Sequence, residues 1–270
     1  MHIYLNGKLQ RIDNKKDIFN SGLLYGLGVF ETISIYNAKP AFLKDHLKRL
    51  KGGCMKIGLK YPAVNFREVI ARLIKVNKLN KAKCRVVAFK DTKTTGVFIS
   101  VKPLKQYKDK DYKKGYKAIL SSIVRNSKNI LCTIKSISYL ENMMAYSMAK
   151  KNKKNEAIFL NEKGFLTEGS RTNLFFVKRK VFYTPSVKCG LLDGIIRQKI
   201  IGIIRRKKMR IKEGNFRLND LLRSDEAFLT NSLMEVMPLV EVNGRSIGSG
   251  KPGALTKRIH ELYKEIINYN

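Results

Sequence analysis

The sequence predicts an α+β protein with two strand-rich parts. Apolar and polar residues alternate along Gly28-Val-Phe-Glu-Thr-Ile-Ser-Ile-Tyr36, the period of a strand with one buried face. Leu43, Leu47, Leu50, Cys54 and Ile57 recur at three- and four-residue spacing, the stripe of an amphipathic helix. Strands and helices are segregated more than strictly alternated, which argues against a Rossmann sheet.

The elements follow in order. Ile3-Tyr4-Leu5 reads as a strand leading into an Asn6-Gly7 turn, and a second turn is expected from Asn37 to Pro40. Cys84 to Lys90 and Gly96 to Lys102 read as a hairpin, with Asp91-Thr-Lys-Thr-Thr95 as its loop. Tyr107 to Gly115 is polar and lysine-rich and reads as an exposed connection to a strand at Tyr116 to Ser122, so domains of 1–115 and 116–270 are expected. A helix is predicted from Tyr139 to Lys151, then hairpins turning at Asn161-Glu-Lys-Gly164 and Lys178-Arg-Lys180. A helix from Ile195 to about Lys207, a strand at Arg210 to Lys212, a short helix at Leu218 to Leu222, a strand at Glu226 to Thr230 and a helix from Ala254 to Ile267 complete the chain.

With 270 residues, 44% of them hydrophobic, the chain is long enough to bury one large core or two smaller ones. Fifty-five Lys and Arg against 21 Asp and Glu give a formal charge of +34, which raises the question of a nucleic-acid partner. The lysines, however, are spread over turns and helix exteriors, Lys105, Lys108, Lys110, Lys150 and Lys151 among them, with no RNP-like stretch, helix-turn-helix signal or zinc knuckle. A solvated surface that attracts anionic small molecules is the expectation, with no nucleic acid and no membrane partner. Cys54, Cys84, Cys132 and Cys189 lie far apart and form no Cys-x-x-Cys pair, so neither a disulfide framework nor a zinc ribbon is expected, and no metal-ligand spacing occurs. The absence of a basic-then-apolar leader and of long apolar runs predicts a cytoplasmic protein.

Lys135 stands out by its surroundings. In Thr133-Ile-Lys-Ser-Ile-Ser-Tyr-Leu-Glu-Asn-Met-Met-Ala145 it closes an apolar stretch just before a helix, where partial burial favours a nucleophilic amine of the Schiff-base kind. Asp193-Gly-Ile-Ile-Arg197 reads as a loop opening a helix, whose N–H groups suit an anion. His46 lies one helical turn before Arg49 and reads as structural.

Six segments, in order, carry a resemblance that covers nearly the whole chain: Leu24-Tyr-Gly-Leu-Gly-Val-Phe-Glu-Thr32, His46-Leu-Lys-Arg-Leu50, the lysine segment, Leu166-Thr-Glu-Gly-Ser-Arg-Thr-Asn-Leu-Phe-Phe176, Gly190-Leu-Leu-Asp-Gly-Ile-Ile-Arg197 and Asp225-Glu-Ala-Phe-Leu-Thr-Asn-Ser-Leu-Met-Glu-Val-Met-Pro238. The chain resembles the class IV aminotransferases, the fold-type IV pyridoxal-5′-phosphate (PLP) enzymes. The resemblance implies a smaller N-terminal α/β domain, a larger strand-rich C-terminal PLP-binding domain and a homodimer. It implies that Lys135 carries the cofactor and shuttles the substrate α-proton, and that Glu168 pairs with the pyridine nitrogen, keeping the ring protonated as an electron sink. A polar hairpin residue is the other reading of Glu168. The backbone amides of Ile195 and Ile196, with Arg49, Thr230 and Ser232, are implied to hold the phosphate, and Tyr139 belongs to the same cofactor set; Thr230 also reads as a strand-end cap.

Two reactions dominate among such enzymes: transamination of branched-chain or D-amino acids, and cleavage of 4-amino-4-deoxychorismate to 4-aminobenzoate and pyruvate for folate synthesis. The Lys135-Ser-Ile-Ser-Tyr139 spacing resembles the lyase or D-amino-acid branch more than the branched-chain one, the Asn231-Ser-Leu-Met234 and Val236-Met-Pro238 wording resembles the lyase, and the 91–95 loop lacks the Arg-x-His of D-amino-acid enzymes. The same loop lacks the arginine that some lyases use for a substrate carboxylate, leaving Lys90 or Lys93 as electrostatic substitutes. An anionic amino-acid-like substrate is expected either way.

Overall fold

The computed structural model describes residues 2–11, 22, 25–91, 94–104 and 107–268. Leu24, Thr92, Lys93 and Lys105 of the segments read above lie outside them. The chain divides into two compact units, one of residues 1–105 with 134–139 and 270, the other of residues 106–133 with 140–269.

The first unit is an antiparallel sheet in the order β2-β1-β6-β5-β3-β4. Its strands are β1 (His2–Leu5), β2 (Lys8–Arg11), β3 (Gly28–Tyr36), β4 (Lys39–Pro40), β5 (Ala82–Lys90) and β6 (Thr95–Pro103). The period-two pattern places Val29, Ile33 and Ile35 of β3 in one apolar cluster with Leu43, Leu50 and Cys54 of helix α1 (Leu43–Lys56) and Phe66, Ile70 and Leu73 of helix α2 (Phe66–Val76). The expected stripe on α1 is thus the face it buries. Asn65 caps α2 by accepting the Glu68 N–H.

The division falls earlier than the expected boundary at residue 115, and the segment Ile134–Tyr139, read as part of the second domain, belongs to the first unit. Backbone pairing explains this: the Phe30 N–H donates to the Lys135 carbonyl at 2.8 Å, the Ile137 N–H donates to Gly28 at 3.0 Å, and Ile134 joins the apolar cluster.

The second unit holds β7 (Tyr116–Leu120), β8 (Glu156–Leu160), β9 (Leu166–Gly169), β10 (Asn173–Lys178), β11 (Val181–Pro185), β12 (Ile211–Gly214), β13 (Glu226–Asn231), β14 (Glu235–Val242) and β15 (Arg245–Ser246). The path runs β12-β11-β10-β13-β14-β7-β8-β9, and β9 pairs back onto β10 through Glu168 and Asn173. Six strands, β10, β13, β14, β7, β8 and β9, therefore close on themselves, removing the edges an open sheet would leave. Leu174, Phe176, Leu229, Met237 and Leu239 lie in the core of this unit.

Two parts of this unit differ from the expectation. Tyr107 to Gly115 contains the helix α3 (Asp109–Lys114), because Asp111 turns back to accept the Lys108 N–H at 2.8 Å and the last turn is basic. β14 was legible only as motif wording: Pro238 lacks an N–H and counts against a strand, yet it is paired with Phe228 of β13. The remaining helices are α4 (Leu140–Lys151), α5 (Ile195–Arg206), α6 (Leu218–Leu222) and α7 (Ala254–Asn268). Among the described residues no helix is long and apolar enough to cross a membrane.

Candidate active site

In the first unit, pairing with β3 brings Lys135 beside Phe30. The Lys135 ammonium lies 4.5 Å from the centre of the Phe30 ring and 5.8 Å from that of Tyr139, and the two rings meet edge to face at 5.5 Å. Lys135 is half-buried, as its position after an apolar stretch implied. The next turn is held by Ser138, whose hydroxyl donates to the Gly26 carbonyl at 2.8 Å. Gly26 has φ 65°, and a Cβ there would lie 2.4 Å from the Ser138 oxygen, so no other residue fits without a shift.

Arg85, which the sequence did not single out, places its guanidinium 4.0 Å from the Phe30 ring centre and donates to Thr32 at 3.4 Å. Its signal lies in the alternation of β5, which puts it opposite Thr32.

Arg49 and His46 project from α1 to Glu31 on β3. Arg49 donates from Nε to Glu31 Oε1 and from Nη2 to Oε2, each at 2.7 Å, and His46 Nδ1 is 2.7 Å from Oε2. Burial pushes the Glu31 carboxyl up, but hydrogen bonding and charge from Arg49, followed by His46, hold it down at about 2. Burial lowers the His46 pKa; Glu31 opposes this, and the charges of Arg49 and Lys135 add to it. His46 is therefore neutral at pH 7, and because a carboxylate only accepts, its proton sits on Nδ1. The structural reading of His46 fits this pairing; Glu31 was missed because nothing local marks a strand glutamate as buried.

In the second unit, Glu168 is the next-to-last residue of β9 and is buried. Its Oε2 accepts from Asn173 Nδ2 at 3.3 Å and from the Leu192 N–H at 3.2 Å, and Arg125 Nη2 lies 3.8 Å from Oε1. Arg125 lies 4.2 Å over Phe159 and donates to Glu141 at 3.1 Å. The turn after Glu168 is anchored by buried Glu156, which accepts from the Ser170 N–H, the Ser170 hydroxyl and, at 3.1 Å, the Thr172 hydroxyl. Arg125, Glu156 and Asn173 were not predicted as site residues, since only tertiary pairing brings them near Glu168: Asn173 through β10, Glu156 through β8, and Arg125 through its bridge to Asn161.

The pairing of β10 with β13 brings further residues of the expected cofactor set to Asn173. Gly194 precedes α5 with φ −68°, and the helix that follows opens with buried Ile195 and Ile196. A Cβ at 194 would lie 2.0 Å from Asn173 Oδ1, so glycine lets the helix start approach β10 closely. Thr230 of β13 pairs with Asn173 of β10, and its buried hydroxyl finds no hydrogen-bond partner among the described residues. Ser232 follows on a turn closed by Asn231, whose Oδ1 accepts the N–H groups of Leu233 at 2.9 Å and Met234 at 2.8 Å. Glu168, Ile195, Ile196 and Thr230 are thus gathered around Asn173 in the second unit, while Lys135, Tyr139 and Arg49 lie in the first. Arg197 is structural: its guanidinium binds Asp193 at 2.8 Å, the Pro185 carbonyl at 3.0 Å and Glu213 at 2.7 Å.

The family model for amino-transferase class IV matches residues 28–242. The chain belongs to the class IV aminotransferase family. An aminodeoxychorismate lyase from Bacillus subtilis is 32% identical over 278 residues, covering 98% of this chain and 94% of the relative. A protein from Methanocaldococcus jannaschii that carries a provisional branched-chain-amino-acid aminotransferase name is 32% identical over 280 residues, covering 98% and 96%. Among solved structures, a T.th. branched-chain amino acid aminotransferase complexed with N-(5′-phosphopyridoxyl)-L-glutamate superposes with a TM-score of 0.91 at 26% identity, covering 99% of this chain and 94% of that one. The fold is therefore that of the fold-type IV enzymes, and the protein is an enzyme of this PLP-dependent family.

The residues present fit such a cofactor. The unpartnered Thr230 hydroxyl and the glycine-opened start of α5 offer a hydrogen bond and a dipole to a phosphate, and the Glu168 carboxylate suits a protonated ring nitrogen. Gly194→Ala is expected to weaken PLP binding at least about tenfold while lowering the melting temperature by only a few degrees, since one methyl group meets one side-chain oxygen. Cofactor titration of the purified variant checks this; unchanged affinity would remove Gly194 from the candidate phosphate site.

Proposed function

We propose that this family member binds PLP through Lys135 and cleaves 4-amino-4-deoxychorismate to 4-aminobenzoate and pyruvate. The observation that carries the choice of reaction is the Asn231 to Pro238 wording, supported by the Lys135-Ser-Ile-Ser-Tyr139 spacing, which resembles the lyase and D-amino-acid branches more than the branched-chain one, and by a 91–95 loop without the Arg-x-His of D-amino-acid enzymes. The equal identity to a lyase and to a provisionally named branched-chain enzyme keeps transamination of branched-chain or D-amino acids with 2-oxoglutarate as the second reading.

When bound, the cofactor's ring takes up the electron pair left when the substrate loses its α-proton. Lys135 removes that proton from the ring carbon bearing the amine. The ether C–O bond then breaks, the carbocycle becomes aromatic, and the three-carbon fragment leaves as the enol of pyruvate, so no second substrate is consumed. Glu168 keeps the ring nitrogen protonated. Arg49, the amides of Ile195 and Ile196, Thr230 and Ser232 hold the phosphate, and Tyr139 orients the ring. Arg85, stacked on the ring that also carries Lys135, supplies a guanidinium fork for a substrate carboxylate, a role that a lysine of the 91–95 loop fills less well. We place the enzyme in the cytoplasm as a homodimer. The exposed Leu140, Met143 and Met144 of α4, with Val124, Ile130 and Leu131 before it, supply apolar surface for the second copy.

With 4-amino-4-deoxychorismate alone, the enzyme is expected to release pyruvate and 4-aminobenzoate without an amino acceptor. Leucine and D-alanine should be transaminated with a kcat/KM at least about tenfold lower, a gap of roughly 1.4 kcal/mol. Higher ionic strength should lower kcat/KM for the dicarboxylate by screening the basic surface. Ready turnover of leucine or D-alanine with no pyruvate from aminodeoxychorismate overturns the lyase in favour of an aminotransferase.

A further inference from the structure

The face of β3 that meets the helices is apolar at Val29, Ile33 and Ile35, and its neighbours Leu43, Leu50 and Cys54 are apolar too. Glu31 interrupts this face and is fully buried. Packing alone would favour an apolar residue there, because a desolvated carboxylate is costly and a buried ion pair is often replaceable by hydrophobic side chains without loss of stability. The site instead spends a second buried polar group, His46, on the same carboxylate. Both carboxylate oxygens receive the edge of the Arg49 guanidinium in a bidentate fork, and His46 adds a third donor at Oε2, all at 2.7 Å. A planar fork gripped along one edge has its direction set by that grip, which an ammonium at the same position would lack.

We propose that Glu31, braced by His46, is a positioning residue that fixes the direction of the Arg49 guanidinium for phosphate binding. The inference rests on the reading of Arg49 as a phosphate ligand of the cofactor. His46 comes from the same turn of α1 as Arg49, so the three groups tie one helix to one strand and turn as a unit. The neutral imidazole contributes a donor without adding a positive charge that would compete with Arg49 for Glu31.

The test compares PLP with pyridoxal, which has the same aldehyde and ring but no phosphate. Apoprotein prepared from the holoenzyme is titrated with each, and the affinity ratio isolates the phosphate. Glu31→Gln is expected to weaken PLP binding at least about tenfold and pyridoxal binding less than about twofold. Net charge argues the other way, since the substitution removes a negative charge near the anion, so a loss isolates orientation from electrostatics. His46→Gln should move the ratio in the same direction by about threefold, and it decides the matter if Glu31→Gln does not fold. Equal weakening of PLP and pyridoxal, or an unchanged ratio, overturns the proposal. Arg49→Met separates the two levels: a lowered ratio in Arg49→Met with an unchanged one in Glu31→Gln leaves Arg49 a phosphate ligand and removes Glu31. An unchanged ratio in both overturns the reading of Arg49 as well.

Discussion

Lys135→Ala is expected to lower turnover by at least about a thousandfold, because on the proposed reading one side chain both anchors the cofactor and moves the substrate proton. The fold should survive. The hydrogen bonds that tie this segment to β3 are backbone ones, the Phe30 N–H donating to the Lys135 carbonyl at 2.8 Å and the Ile137 N–H to Gly28 at 3.0 Å, and alanine retains both. Borohydride reduction of the wild-type holoenzyme, followed by peptide mapping, should find the cofactor fixed on Lys135, and the variant should show no such peptide. A label on another lysine, or a variant with near wild-type turnover, sinks the assignment.

Glu168→Gln is the second large effect. Turnover should fall by roughly a hundredfold or more while the cofactor stays bound, since an amide does not hold the ring nitrogen protonated and the electron sink is lost. The amide oxygen can still accept from Asn173 and from the Leu192 N–H, so the β9–β10 corner has no reason to open. What changes is the charge beside Arg125, which would keep Glu141 as its only carboxylate partner of the two seen here. Cofactor content and steady-state rate, measured on the same preparation, separate the outcomes; wild-type turnover would make Glu168 an ordinary hairpin residue.

The sequence by itself determined the elements whose signal is periodic and local. Alternation placed β3, β5 and β6, three- and four-residue spacing placed α1, and Arg179 and Lys180, both with positive φ, make the tight turn expected between β10 and β11. An apolar run meeting a helix start marked Lys135 as a candidate, and the ordered motifs added the family and the other candidate site residues. Tertiary structure alone decided which side chains meet. The return of Ile134–Tyr139 to the first unit, the burial of Glu31 against His46 and Arg49, the placement of Arg85 on Phe30, and the closure of β9 onto β10 around Glu168 join residues far apart in the chain. Periodicity reports which face of an element is apolar, whereas pairing a buried charge depends on the element packed opposite. A buried glutamate on a strand and an exposed one therefore read alike until the helix that covers it is in place.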